Sequence, residues 1–284
     1  MDSNLFKTFI LGTKIGYRGL TLEEQLKEKE ESFINIWGMD HRYCDQSLLI
    51  QQVYNSKAEF LMGRNLTLGE ICCALGHREI YSNFLETDLE WALVLEDDAR
   101  LVSREIPYLF LGKVERSKPC IIQLYGLEEA LAQLSINRVK NQLTISGQED
   151  DLYRLNFTPE LTHAYFINRL AARKLLESTK KGVYSTADWP LLATNGLVFY
   201  SSSKPVFMQN AEISLLADDR LSIGKIECRE SHKLRTFLNL LGLKALLGIA
   251  QGINPLEVQK LVLRRFLVNL TARNKSNFLF RRVQ

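Results

Sequence analysis

Glu96, Asp97 and Asp98 stand side by side directly after the apolar run Trp91-Ala92-Leu93-Val94-Leu95, and the first basic residue to follow them is Arg100. Three adjacent carboxylates repel one another, so the arrangement calls for solvent or a cation between them. Hard divalent ions such as Mg²⁺ and Mn²⁺ prefer oxygen ligands. The chemistry this suggests is a metal held beside a phosphate-bearing substrate, and an acidic turn after a strand explains the same spacing equally well. The apolar run reads as a strand buried on both faces in the middle of a parallel sheet. The carboxyl end of such a strand is where open α/β sheets place their ligands.

The helix that feeds this strand is marked at its start. Thr67-Leu68-Gly69-Glu70 fits the Thr-x-x-Glu capping box. Behind it, Leu68, Ile71, Cys72 and Leu75 recur at helical spacing, as do Cys73, His77, Ile80 and Phe84. His77 therefore lies on an inward stripe; a core histidine bonded to a backbone carbonyl is the plainer reading and a ligand the sharper one.

The remaining elements form an alternating series. Phe6 to Gly12 reads as a first strand, Leu20 to Ile34 as a surface helix with Leu22, Leu26 and Phe33 inward, and Ile34 to Gly38 as a second strand. A short helix is expected near Ser47–Tyr54 and another beginning at Ile106-Pro107-Tyr108. Cys120 to Gly126 and Thr162 to Ile167 read as strands, with an edge strand at Asn141–Ile145. Asn168 caps a helix from Arg169 to Lys181 that Gly182 stops. Asp188 is placed to cap a short helix with Trp189 and Pro190 in its first turn. Leu197–Tyr200 and Pro205–Met208 read as two further strands, and Asp218-Asp219-Arg220 as a solvated turn.

At 284 residues, with 46% hydrophobic and 24% charged residues, the chain has the composition of an ordinary globular protein with a sizeable core. No window approaches the roughly 18 uninterrupted apolar residues of a membrane-spanning helix. The first residues lack a charged-then-apolar export pattern, so the expectation is a protein that stays inside the cell. Five cysteines without a Cys-x-x-Cys pair read as reduced thiols. The net charge of +3 is unevenly spread: residues 229–284 hold 11 Lys/Arg against 2 Asp/Glu, and the remainder 25 against 31. Such asymmetry suggests a basic tail facing an anionic surface. The apolar stripe Leu234, Phe237, Leu238, Leu241, Ala245 and a second one over Val258–Leu267 suit either a bilayer surface or packing on the main domain. Nucleic acid is not the expected partner, because the main domain is net acidic and the tail lacks regular aromatic interleaving.

Several ordered segments together resemble glycosyltransferase family 25, the bacterial lipopolysaccharide and lipooligosaccharide sugar transferases. They are Gly69 to His77, Leu93 to Ala99, Ala164 to Ile167 with Ala171 to Leu176, and Ala187-Asp188-Trp189-Pro190. Two features differ from the family pattern: Gly76-His77 stands where Ser-His is usual, and the strand ending Leu11-Gly12-Thr13-Lys14 lacks the usual polar Asn/Ser-Leu.

The resemblance implies an α/β architecture with a GT-A-like, Rossmann-type mixed sheet flanked by helices. The resemblance covers roughly residues 60–215, and the change in charge at Arg229 sets the expected division into a catalytic domain over 1–228 and a basic amphipathic helical region over 229–284. The resemblance further implies a UDP-sugar donor, Mn²⁺ or Mg²⁺, and inversion at the anomeric carbon, with Glu96 facing the ribose, Asp98 and Glu96 facing the metal, and Asp97 nearby. Asp188 is the implied base, its alternative being a simple helix cap, with His163 as a weaker one. His77 is expected to orient the acidic loop or touch the diphosphate, and Arg18 or Lys14 to reach phosphate. The implied reaction is transfer of galactose from UDP-galactose to a lipopolysaccharide core, on the cytoplasmic face of the inner membrane. UDP-glucose is the alternative donor, and a non-catalytic nucleotide-binding adaptor the alternative class. Oligomeric state is not legible.

Overall fold

The computed structural model describes residues 5–62, 64–132, 148–149, 151–155, 158–159, 161–187 and 196–210. The expected edge strand at 141–145, Asp188, the acidic pair at 218–219 and the basic region 229–284 lie outside the described residues. So does the boundary between the two expected domains.

One eight-stranded mixed sheet organises the described chain, in the order β2-β1-β3-β8-β5-β9-β7-β6. Its members are β1 (Phe6–Gly12), β2 (Phe33–Trp37), β3 (Trp91–Glu96), β5 (Cys120–Gln123), β6 (Gln148–Glu149), β7 (Leu152–Leu155), β8 (Ala164–Asn168) and β9 (Val198–Ser202). β4 (Ala99–Leu101) and β10 (Phe207–Gln209) form a separate antiparallel pair. β1 runs parallel to both β2 and β3, and β5 runs parallel to β9. β8 is antiparallel to β3 on one side and β5 on the other. The sheet around β3 is therefore mixed, not the purely parallel sheet its apolar run suggested; an apolar run reports burial on both faces of the sheet and carries no information on which way the neighbouring strand runs.

Burial on both faces is what the side chains show. Trp91, Leu93 and Leu95 join one core cluster, with Leu22 and Leu26 of α1 (Leu20–Glu28). Ala92 and Val94 join the opposite cluster, with Ile80, Tyr81 and Phe84 of α4 (Leu68–Glu86) and Ala171, Ala172 and Leu175 of α7 (Arg169–Ser178). Helices thus cover both faces. β1 leads to β2 through α1 on one face, and β2 leads to β3 through α4 on the other. The chain therefore reverses its winding between β1 and β3, and the crevice beyond their carboxyl ends is the place where such sheets bind ligands.

The local chemistry explains the element ends. The Thr67 side chain accepts from the Glu70 backbone N–H at 3.0 Å and the Glu70 carboxylate accepts from the Thr67 N–H at 3.0 Å, the expected capping box. Arg64 grips that carboxylate with two hydrogen bonds of 2.7 Å. Asn168 caps α7 by accepting from Ala171 N–H, and ties it to β5 by also accepting from Cys120 N–H.

Three element ends differ from expectation. α1 stops at Glu28, not Ile34, because Glu30 adopts φ 57° and the Glu31 and Glu30 N–H groups close on Leu26 and Lys27, a Schellman end. Phe33 accordingly belongs to β2. α7 ends at Ser178, three residues before the expected Lys181, where the Thr179 hydroxyl bonds the Leu175 carbonyl. Between β2 and α4 the chain forms two short helices, α2 (Gln46–Gln51) and α3 (Asn55–Met62), where one was expected. α5 (Phe110–Lys113) and α6 (Leu127–Ala132) complete the described helices, and none of them is long and apolar enough to cross a membrane.

Candidate active site

The carboxyl ends of β1, β3, β5 and β9 and the amino end of β8 meet on one edge of the sheet. Glu96 closes β3, and Asp97 and Asp98 form the turn into β4. The Asp97 N–H bonds the Leu11 carbonyl at 2.8 Å, and the Glu96 N–H bonds the His163 carbonyl at 2.9 Å. The acids are thereby pinned by backbone to both neighbouring strands, at the point where the winding reverses.

Each acid has a different environment. Asp97 is buried and paired with Arg18, whose Nη2 lies 2.7 Å from Asp97 Oδ1 and 3.5 Å from Asp98 Oδ2. The Arg18 N–H also points at Asp97 Oδ2, at 3.4 Å. Two further nitrogens of the same guanidinium, Nε and Nη1, are buried without a partner. β1 can approach this turn so closely because it ends in Gly12, where a Cβ would fall 2.7 Å from the Tyr17 ring and 3.1 Å from Asp97 Cβ.

Asp98 is 6% exposed. Its Oδ2 accepts from Gln209 Nε2 at 3.0 Å, and its carbonyl accepts from the Asn210 N–H at 2.8 Å, while Oδ1 is buried with no hydrogen-bond partner. Burial and the neighbouring charge of Glu96 push its pKa up to about 6, against the pull of Gln209 and Arg18. An unpaired carboxylate oxygen in a pocket already rich in negative charge is a position that a cation fits.

Glu96 turns to the α4 side. Its Oε1 accepts from the Thr162 hydroxyl at 2.6 Å and lies 3.1 Å from His77 Nε2. His77 Nδ1 lies 2.8 Å from the Tyr165 hydroxyl, which lies 2.8 Å from the Tyr81 hydroxyl. Donation to a carboxylate requires the hydrogen on Nε2, so Nδ1 of the neutral ring accepts from Tyr165. The result is a chain of hydrogen bonds from the core to the acidic edge. Burial opposes the charge on Glu96, yet the hydrogen bond from His77, the charge of that ring whenever it is protonated, and the Thr162 hydroxyl hold the Glu96 pKa down to about 2.

Sequence-predicted Glu96, Asp97, Asp98, His77 and Arg18 are thus brought together. His77 is a buried histidine, as the plainer reading had it, but its partners are side chains of the site and not a backbone carbonyl. Lys14 is exposed on the loop after β1. His163 is buried with its ring against Tyr125, and burial lowers its pKa. The described chain approaching Asp188 ends at Ala187, and Ser185, Thr186 and Ala187 line a small cleft with His77 and Tyr81 of α4 and Leu175 of α7. Thr162, Tyr165 and Gln209 were not singled out. The first two lie on either side of His163 in a run read as a strand and, from Ala164 to Ile167, as part of the family resemblance, with no site role given to either; Gln209 meets Asp98 through the β4–β10 pairing, which leaves no local signal in sequence.

The Gly76-His77 pair has a packing reason. A Cβ on Gly76 would lie 2.6 Å from Leu11 Cδ1 and 3.0 Å from Cδ2. Leu11 fills the space where the family's usual serine would project, so β1 and α4 close directly on one another.

Among solved structures, the chain is similar to A197 from STIV (13% identity, 70% of this chain and 81% of the other, TM-score 0.37). It is also similar to a glycosyltransferase involved in the glycosylation of the major capsid of PBCV-1 (9%, 62% and 65%, TM-score 0.28). A third is the galactosyltransferase LgtC in complex with donor and acceptor sugar analogs (10%, 68% and 72%, TM-score 0.34). No curated protein matches the chain. The model of a family described as "Glycosyltransferase family 25 (LPS biosynthesis protein)" matches residues 9–189, more than half of the chain, a span that holds Arg18, His77, Glu96, Asp97 and Asp98. The chain belongs to glycosyltransferase family 25, whose reaction joins a sugar from a nucleotide-sugar donor to a glycan acceptor.

Proposed function

We propose that this glycosyltransferase is an inverting, cation-dependent hexosyltransferase that moves galactose from UDP-galactose onto a lipopolysaccharide or lipooligosaccharide core, with UDP-glucose as the alternative donor. The observation that carries the cation dependence is Asp98, whose buried Oδ1 has no partner at the carboxyl edge between β1 and β3. Asp98 would hold Mn²⁺ or Mg²⁺, with Glu96 close enough to raise its pKa. Such an ion supplies positive charge to the departing diphosphate.

The protein's own groups divide the remaining work. Arg18, tethered by Asp97, has two nitrogens without partners to offer to phosphate oxygens. Glu96, kept ionised and fixed by His77 and Thr162, is an acceptor for ribose hydroxyls. Inversion needs a base on the face opposite the leaving group. Asp188 is assigned that role, since the chain before it passes the cleft that His77 lines. His163 is the less suitable base, because burial disfavours its protonated form. The basic region 229–284 is assigned to an anionic membrane surface, which would keep the enzyme at the cytoplasmic face of the inner membrane.

The test is release of UDP from a panel of UDP-sugars, with and without Mn²⁺ and a truncated lipopolysaccharide acceptor. Turnover with UDP-galactose that Asp98→Asn abolishes supports the reading. UDP binding without metal-dependent turnover on any acceptor favours the adaptor, and turnover unaffected by chelator removes the cation. Asp188→Asn should spare UDP binding and remove transfer.

A further inference from the structure

The geometry points to a second cation site, distinct in chemistry from Asp98: a soft transition metal such as zinc bound by Cys73, His77 and Glu96. Cys73 and His77 lie one turn apart on the same face of α4, and Glu96 comes across from the end of β3. The Cys73 sulfur, a His77 ring nitrogen and a Glu96 carboxylate oxygen all lie within 4.8 Å of one another. Zinc bonds of roughly 2.0–2.3 Å place tetrahedral ligands roughly 3.5 Å apart, so small side-chain movements close the set. A thiolate with an imidazole selects zinc or cobalt, whereas Mg²⁺ and Mn²⁺ prefer the all-oxygen environment of Asp98.

The surroundings suit a ligating histidine. Metal-bound imidazoles are oriented by a hydrogen bond on the other ring nitrogen, and His77 has one in the Tyr165 hydroxyl, 2.8 Å from Nδ1. Binding at Nε2 shifts the ring hydrogen to Nδ1, and the Tyr165 and Tyr81 hydroxyls rotate to reverse their hydrogen bonds. The Cys73 thiol gives its proton to solvent, so one proton is released per ion, and no electrons move. Cys73 is half-buried and in no disulfide, and Glu96 is 21% exposed on its side chain, so an ion can reach both. His77 now lies 3.1 Å from Glu96 Oε1, and zinc would replace that contact and draw the carboxylate towards α4. The consequence is inhibition of the transferase by zinc. The inhibition rests on the reading of Glu96 as a donor contact, but the metal site does not.

The experiment is a cobalt titration of the full chain without a histidine tag. One equivalent should produce a thiolate-to-cobalt charge-transfer band, which zinc then abolishes. The band should vanish in Cys73→Ala, weaken in His77→Gln and persist in Asp98→Asn. Absence of the band in the wild type, or its survival in Cys73→Ala, overturns the site. In the transfer assay Cys73→Ala should turn over normally without zinc and need roughly tenfold more zinc for half-inhibition. Equal zinc sensitivity of both proteins would overturn the inhibitory consequence while leaving the band to decide the site. Because the band needs no sugar donor, failure of the proposed transferase reaction would not produce that result.

Discussion

Arg18 Nη2 lies 2.7 Å from Asp97 Oδ1 and 3.5 Å from Asp98 Oδ2, so one guanidinium serves both acids of the turn that follows β3. Its charge offsets part of the repulsion that would otherwise make the turn unstable, and also competes with any cation for Asp98. Arg18→Ala should therefore have opposite effects on two ligands. Mn²⁺ binding to the free protein should tighten, by roughly tenfold for the loss of one positive charge at this range. UDP binding in the presence of Mn²⁺ should weaken, since the unpartnered Nε and Nη1 go with the side chain. Calorimetry with each ligand separates the two, and a parallel loss of both would mean that Arg18 acts only by holding the fold.

Asp98 makes stability depend on pH in a signed way. Its folded pKa of about 6 lies above the unfolded value of about 3.9, so the folded state holds the proton more tightly. The contribution is fully present below the unfolded pKa and is lost as pH rises through about 6. Asp98→Asn should abolish that loss, leaving the variant more stable than the wild type at pH 7 by on the order of 2 kcal/mol and close to it at pH 4. Melting curves of metal-free protein across this range report the difference. Mn²⁺ should raise the wild-type melting temperature more at pH 7 than at pH 5, where it competes with the proton, and should not raise that of Asp98→Asn.

Much of this site was legible because its chemistry is local. The acidic triplet, the apolar strand before it and the capping box of α4 each announce themselves within ten residues, and the strand and cap form as expected. The partners of the acids were less visible, because sheet pairing brings them in from far along the chain. Thr162 reaches Glu96 across 66 positions and Gln209 reaches Asp98 across 111. Sequence periodicity reports which face a residue occupies, but not which strand lies beside it, so the antiparallel insertion of β8 next to β3 left no mark. The end of α1 was hidden for a different reason: a glutamate, not a glycine, takes the left-handed position at residue 30.

The Tyr81–Tyr165–His77 chain predicts an ordered pair of hydroxyl deletions. Tyr165→Phe leaves both the Tyr81 hydroxyl and His77 Nδ1 without their partner in the core, and should cost about 2–3 kcal/mol. Tyr81→Phe removes the end of the chain and leaves the Tyr165–His77 bond intact, and should cost about 1 kcal/mol. Denaturant midpoints measure both. UDP affinity should fall only in Tyr165→Phe, where the ring that fixes Glu96 is released; equal effects would show that the chain does not orient His77.

Gly76 tests whether the direct closure of β1 on α4 matters to the acids. A glycine inside a helix costs about 0.5–1 kcal/mol relative to alanine, so a serine there gains part of that propensity. Against that gain, the Cβ of Gly76→Ser would lie 2.6 Å from Leu11 Cδ1, and overpacking a buried contact costs about 1–3 kcal/mol. The clash should win, with a net loss of about 1 kcal/mol. Leu11→Ala alone should cost about 2–4 kcal/mol as a cavity, while the double variant should be more stable than the sum of the two by about 1–2 kcal/mol, because each change fills or vacates the other's space. The Leu11 carbonyl holds the Asp97 N–H at 2.8 Å, so strain on β1 passes directly to the acidic turn. Transfer by Gly76→Ser should accordingly fall further than the folded fraction, and recover in the double variant; activity that merely follows stability would show that β1 does not position the acids.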